Sequence, residues 1–424
     1  MKLYGGSCGN RTQAIAAAPS KKNPWKPLAV VLACLVLVEV LYFTAIYSQN
    51  SFIRYWRSAY IETAMDTLNH KWLATAIIPP DVIQEVMDRR TAASEQVQNV
   101  VSTWETDTEE TPIQIDVNIQ PEETQEERQK RLKAEFYALF HELDPATFEA
   151  YLADHPQVLE SGWDNLYINE AGLDDDGTSI QTIYGEQVLA IDVPNQILIV
   201  RVSGSGYQGV LAIAKDPAQL SLQPSSQLGV VGEPAGVIAE AHNGILAMTA
   251  SGFDDPNGNG DGGLVGGYAM CDGKVCGSAH APESYKRLEL HEDNLLYITG
   301  AQNAVGEGTT DAMEFVPAMI VNGEILIDAN SGYTGLHPRA CIGQCDKYEI
   351  LMLVIEGRML RSVGTDLIEC SEILARHGAV QAMNVDGGSS AMMWYDGEYL
   401  NICANQNLAE GRPLPTAFVY ARRE

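Results

Sequence analysis

Between Leu28 and Tyr47 the chain is apolar except for Glu39 and Thr44. A helix of about twenty such residues is long enough to cross a bilayer. Lys2, Arg11, Lys21, Lys22 and Lys26 precede the run, with no acidic residue among them. That bias predicts a cytoplasmic N-terminus and a C-terminal part outside the cell; Arg54 and Arg57 just beyond the run weaken the bias without reversing it. No small-x-small site follows the run, so an uncleaved signal anchor is expected rather than a removed signal peptide. Leu32-Ala33-Cys34 has the outline of a lipoprotein box, but the apolar run continues well past Cys34, which reads as membrane core.

The 424 residues are 46% hydrophobic, enough for one large core plus an appendage. The net charge of -29 argues against nucleic acid as a partner, because phosphate backbones select basic surfaces. Six cysteines follow the apolar run: Cys271, Cys276, Cys341, Cys345, Cys370 and Cys403. An oxidising exterior would permit disulfides. On one strand, however, Cys341 and Cys345 would lie about 13 Å apart, too far to bridge. Zinc lacks a CxxC spacing or a His partner. Buried free thiols are the expectation.

Residues 1–27 read as a cytoplasmic tail and 28–47 as the anchor. Phe52 to Ala76 and Val82 to Trp104 look helical, broken at Pro79-Pro80 with Asp81 as N-cap. With the acidic, Thr-rich stretch from Glu105 they suggest a helical stalk and linker over 48–120. The stalk offers a surface for self-association, although its apolar pattern is too irregular for a coiled coil. A small helical unit spans 121–179, with Leu132, Phe136, Leu139 and Phe140 on one face and a second helix opening at Asp144-Pro145. From Ile180 the pattern turns to strands: Gln187–Val193, Gln196–Val202, Tyr207–Lys215, Ile245–Ala250, an antiparallel pair within Arg339–Ile355, Ala379–Val385 and Thr416–Arg422. Hairpins fall at Val265–Cys276 and Phe315–Asp328. A short helix opens at Pro234, and a longer one is capped by Thr365 and stopped by Gly378. The fold expected over 180–424 is α+β, a mixed, largely antiparallel sheet with packed helices, behind a transmembrane helix and helical stalk.

The strand Ala379–Val385 delivers Asp386 into Gly387-Gly388-Ser389-Ser390, and an Asp396-Gly397 turn closes the hairpin that follows. Glycines let backbone N–H groups approach an anion and hydroxyls add donors. The local chemistry is equally that of a capped bulge. Asp255-Pro256-Asn257-Gly258-Asn259-Gly260-Asp261 spaces its oxygens like the first half of a calcium loop. Gly266 stands where the bidentate Glu belongs, so Asp255, Asn257, Asn259 and Asp261 remain weak calcium candidates beside a plain turn cluster, and no cofactor is required.

Met248-Thr249-Ala250-Ser251-Gly252-Phe253 through Gly263, His337-Pro338-Arg339-Ala340-Cys341-Ile342-Gly343, Asn384-Val385-Asp386-Gly387-Gly388-Ser389-Ser390 and Gly411-Arg412-Pro413 form an ordered set. In that order they resemble the phosphodiester glycosidase family over roughly 238–422. That family includes the lysosomal enzyme that uncovers mannose 6-phosphate and bacterial proteins labelled exopolysaccharide biosynthesis proteins. The resemblance implies hydrolysis of a sugar-1-phosphodiester in a cell-surface glycopolymer or glycolipid. It implies Asp386 and Arg339 as the catalytic pair, with Arg339 clamping phosphate through a bidentate fork. Read locally, Arg339 is also suited to a strand-end salt bridge. Thr249, Asp255, His337, Gly387, Gly388, Ser389, Ser390 and Arg412 are the implied substrate-binding residues. Thr249 stands where the family has Asn, Ala340-Cys341 where it has Thr-Ala, and Glu356 where it has Asp before Gly357-Arg358. The Thr249 replacement keeps a second reading open: a non-catalytic glycan-binding or exopolysaccharide assembly factor using the same pocket.

Overall fold

The computed structural model describes residues 25–67, 70–97, 99–104, 115, 123–254, 260–278 and 281–423. The expected cytoplasmic tail lies almost wholly outside them. Contacts divide the chain into a unit ending at Arg54 and a large unit from Tyr55 to Glu424. The first holds α1 (Trp25–Tyr47), a helix long and apolar enough to cross a membrane. It is apolar on every side and exposed along nearly its whole length, a pattern that suits hydrocarbon rather than water.

Asn50 starts α2 (Ser51–Met65) by accepting the N–H groups of Phe52 and Ile53 at 3.1 and 3.3 Å. α3 (Trp72–Thr75) and α4 (Pro80–Gln96) follow. Expected as a stalk, α2 and α4 belong from Tyr55 onward to the same compact unit as the strands. The reason is polar: Glu62 is buried in α2 and finds its donors in Thr334 and Gly335, more than two hundred residues away in sequence. Pro79 holds the N-cap position of α4, with Asp81 in its first turn.

The centre of the large unit is a nine-stranded sheet. Its order is Tyr167–Asn169, Gln187–Asp192, Ile197–Gly204, Tyr207–Ala214, Ile350–Ile355, Arg339–Cys345, Ala379–Val385, Ala318–Val321 and Glu324–Ile325, and its paired strands run antiparallel. Strand period decides what each face meets. In Ile350–Ile355, the residues Ile350, Met352 and Val354 join one core, and Leu351, Leu353 and Ile355 the other. The second core is roofed by helices: α5 (Gln125–Leu139) with a Thr124–Glu127 capping box, α6 (Pro145–Asp154), and α8 (Leu367–Arg376). The first core is closed by two five-stranded sheets. One of them carries Gly244–Thr249 and Thr416–Ala421, and α7 (Ala235–Ala241) covers its far side. The other includes Lys286–His291 and Thr309–Phe315.

The cap of α8 is Asp366, which accepts the Glu369 N–H at 3.0 Å, rather than Thr365. Thr365 is instead bridged to His337 through reciprocal 3.1 Å backbone bonds. The seven cysteines among the described residues are all free thiols.

His141, Glu142 and Glu349 have metal-like spacing, but the buried Lys215 ammonium sits among them, 2.5 Å from Glu142 and 2.9 Å from Glu349. This is a buried ion triad closing the end of the sheet. Lys215→Met should strand two carboxylates and cost about 3–5 kcal/mol. Adding Glu142→Gln and Glu349→Gln should recover most of that. Denaturant unfolding checks it, and equal midpoints for wild type and Lys215→Met would refute it.

Candidate active site

The family-like motifs converge on one cavity of about 1180 Å³. Its floor is the end of Ala379–Val385. Asp386 leaves the strand there and turns, its N–H bonded to the Ala250 carbonyl at 3.1 Å. The two glycines that follow are demanded by geometry. A Cβ at Gly387 would stand 2.8 Å from the Pro338 carbonyl oxygen, and Gly388 has φ +62 beneath the Arg358 guanidinium. The N–H groups of Gly388 and Ser390 go to the carbonyls of Pro338 and Gly387, so half of the expected anion cradle is used to hold the loop itself. Gly387, Gly388, Ser389 and Ser390 all line the cavity.

Asp386 Oδ2 is buried and has no hydrogen-bond partner. Burial pushes its carboxyl up to about 6, against the pull of Ser390 and Arg412. A carboxylate held near neutrality and aimed into a cavity is poised for proton transfer or charge stabilisation.

Arg339 opens the neighbouring strand, one step beyond the pair Ala340–Val385, so strand register sets it beside Asp386. Its Nε donates to the Thr365 carbonyl at 3.2 Å and its Nη2 to the Gly335 carbonyl at 2.6 Å. Neutral carbonyls fix the plane of the fork without neutralising it, and no carboxylate pairs with Arg339 among the described residues. Burial lowers its proton affinity. Arg412 lies 4.5 Å over the Phe253 ring.

A third guanidinium, Arg358, also lines the cavity, and sequence reasoning gave it no role. Its signal lies in Glu356-Gly357-Arg358, where Glu356 stands in place of the family's Asp. Glu356 is a buried anchor that takes Arg361 through two bonds, Gln208 Nε2 at 3.0 Å and the Ile402 N–H at 2.7 Å. Gly357 packs against Pro338, and Arg358 adopts φ +60, a costly conformation for a side chain of that size. Among the described residues its guanidinium makes no hydrogen bond or ion pair. Partial burial, Arg339 and Arg412 lower its proton affinity. Three mutually repelling cations around one cavity describe a site built for an anion.

His337 lines the cavity as expected, buried, with Nε2 3.4 Å from Asp66 Oδ2. Burial lowers its pKa, against the pull of Asp66. Asp66 comes from the end of α2 and is gripped by Arg90 of α4 at 2.8 and 2.9 Å. Burial pushes the Asp66 carboxyl up, but His337 and Arg90 prevail and hold it at about 2. Thr249 does not line the cavity: it is fully buried in Gly244–Thr249, its hydroxyl without a partner. Asp255, Asn257 and Asn259 lie outside the described residues. Asp261 is half-buried and accepts the Gly263 N–H at 3.4 Å.

Comparison with known proteins agrees with the motif set. Residues 242–421 match the phosphodiester glycosidase family. A SPbeta prophage-derived uncharacterized protein of Bacillus subtilis (strain 168) is 31% identical over 75 residues, which is 18% of this chain and only 11% of that relative's length. Among solved structures, the zebrafish N-acetylglucosamine-1-phosphodiester alpha-N-acetylglucosaminidase catalytic domain, auto-inhibited by pro-peptide, aligns at 17% identity and a TM-score of 0.43. That alignment covers 54% of this chain and 82% of that one. A hypothetical protein from Synechocystis aligns at 15% identity and a TM-score of 0.39, covering 55% and 63% of the two chains. A putative exported protein from Burkholderia pseudomallei K96243 aligns at 14% identity and a TM-score of 0.38, covering 52% and 75%. Residues 242–421 of this chain are a phosphodiester glycosidase family domain.

Proposed function

We propose that the protein hydrolyses a sugar-1-phosphodiester of a cell-surface glycopolymer or glycolipid, in a domain held outside the cytoplasm by α1. The observation that carries the reading is Asp386, whose buried Oδ2 has no partner and whose carboxyl is pushed up to about 6, in a cavity shared with Arg339, Arg358 and Arg412. The bond broken joins the anomeric carbon to a phosphate oxygen. Its electron pair leaves with the phosphate, the hydroxyl of water joins the sugar, and the remaining proton passes to Asp386 or the departing phosphate. A phosphomonoester with a second pKa near ~6 leaves with little acid assistance. The site therefore needs cations for the phosphate, supplied by the guanidinium groups, and a carboxylate for the anomeric carbon. No calcium ion is needed in this scheme. The basic, acid-free stretch before α1 supports an N-terminus inside the cell.

The test is sugar release by the full chain in detergent from a panel of sugar-1-phosphate methyl esters. Free sugar and methyl phosphate should appear together. Tight binding of panel members without turnover would favour a glycan-binding factor and overturn hydrolysis.

A further inference from the structure

The cavity wall is not all family-like. Tyr60 of α2 and Leu73 of α3 line it and are also exposed, 42% and 38%. They are tied together by the Tyr60 hydroxyl, which donates to the Leu73 carbonyl at 2.8 Å. Trp56 stands one helical turn before Tyr60 and Phe52 one turn before that, so α2 carries an aromatic stripe at i, i+4 and i+8. Trp56 is 49% exposed, and in the α3 region Trp72 and Ile77 are 59% and 56% exposed. The opposite face of α2 buries Ser58, Ile61 and Glu62, so the apolar stripe is in addition to the face that packs. Single exposed apolar residues are ordinary. Large aromatic and aliphatic groups concentrated on one short segment are not, and they mark an apolar partner.

The sequence says which partner. This segment begins four residues after α1, the one helix among the described residues long and apolar enough to cross a membrane. Trp and Tyr are the residues that settle at a bilayer's interface. The stripe also runs into the cavity, because Thr63, Ala64 and Thr67 line it beyond Tyr60.

We infer that the substrate's alcohol is a lipid: a sugar 1-phosphate esterified to a long-chain alcohol, reached from the bilayer along Trp56, Tyr60, Trp72, Leu73 and Ile77. This rests on the hydrolysis proposed above and names its leaving group, a lipid phosphomonoester that stays in the membrane while the free sugar leaves. The bond cleaved and the proton balance are unchanged.

The experiment compares three esters of one sugar 1-phosphate, with methanol, farnesol, and the 6-hydroxyl of a second sugar. The enzyme is the full chain in phospholipid vesicles, as wild type and as a Trp56→Ser, Trp72→Ser double variant. Neither tryptophan lines the cavity, so the methyl ester reports whether the catalytic site is intact. In wild type, kcat/KM for the farnesyl ester should exceed that for the methyl ester at least tenfold. In the double variant that advantage should fall below threefold, with methyl ester hydrolysis within twofold of wild type. Equal rates for farnesyl and methyl esters, or a preference for the sugar ester, would overturn the lipid assignment and leave hydrolysis standing. A farnesyl preference untouched by the double variant would overturn the route. Hydrolysis of none of the three, across several sugars, would remove the proposed function and this inference with it.

Discussion

Asp386→Asn should abolish turnover and make the protein more stable. Amide replacement removes the charge that a developing oxocarbenium ion or an attacking water needs, a loss of at least about a thousandfold in kcat. The stability gain follows from the direction of the pKa shift. The folded carboxyl ionises near about 6 against an ordinary 3.8. Its contribution to stability is therefore full below about pH 4 and is lost as pH rises through 6. Above that, keeping the buried carboxylate ionised costs on the order of 3 kcal/mol. The Asn variant should therefore unfold at higher denaturant than wild type at pH 7.5, with the gap shrinking toward pH 5. Wild-type kcat/KM should rise with pH through about 6 and then level off. A variant less stable than wild type at pH 7.5, or a pH profile flat across 5 to 7, would mean that Asp386 is not the strained, titrating group described.

Arg358→Ala is the second large effect, and it separates binding from folding. The side chain has no protein partner among the described residues, so its loss should leave unfolding within about 0.5 kcal/mol. Easing the repulsion from Arg339 and Arg412 tips that small change toward stability. A phosphate held by charge-assisted bonds from this guanidinium should lose about 1.5–3 kcal/mol, roughly ten- to hundredfold in affinity. Arg358→Lys keeps the charge but not the fork, and should recover only part. Calorimetric titration with inorganic phosphate or a sugar 1-phosphate measures this directly. Unchanged affinity in Arg358→Ala would place the anion elsewhere.

Much of this was legible because strands advertise themselves locally. Ala379–Val385 and Arg339–Ile355 alternate cleanly, and the glycines after Asp386 pointed to a backbone conformation side chains resist. The pair Asp386 and Arg339 fell together because adjacent strand ends must. The strands within Lys286–Phe315 were missed, since the buried charged residues Lys286, Arg287, Glu289, Asp311 and Glu314 interrupt their apolar pattern. Thr249 was misplaced with respect to the cavity for a related reason. The family resemblance put it among the substrate contacts, but only the pleat decides which face a residue takes, and the fold turned it inward. Arg358 was overlooked because an arginine after Gly reads as solvated until three of them share a cavity. The Glu62 donors Thr334 and Gly335, and His337 beside Asp66, had no local signal at all, since they come from a loop more than two hundred residues away.

The loop from Tyr333 to His337 has a consequence for where this protein begins as a physical object. Gly335 holds the Arg339 fork through its carbonyl while its own N–H is held by Glu62, and the Leu336 N–H goes to Thr63. Four of the nine strands of the central sheet, from Tyr167 to Ala214, likewise precede residue 242. The stretch of sequence shared with relatives is thus smaller than the stretch that must fold for the site to exist. A fragment cut at 242 would carry the motifs without the surroundings that hold them in place. Inheritance and mechanical integrity have different boundaries in this chain.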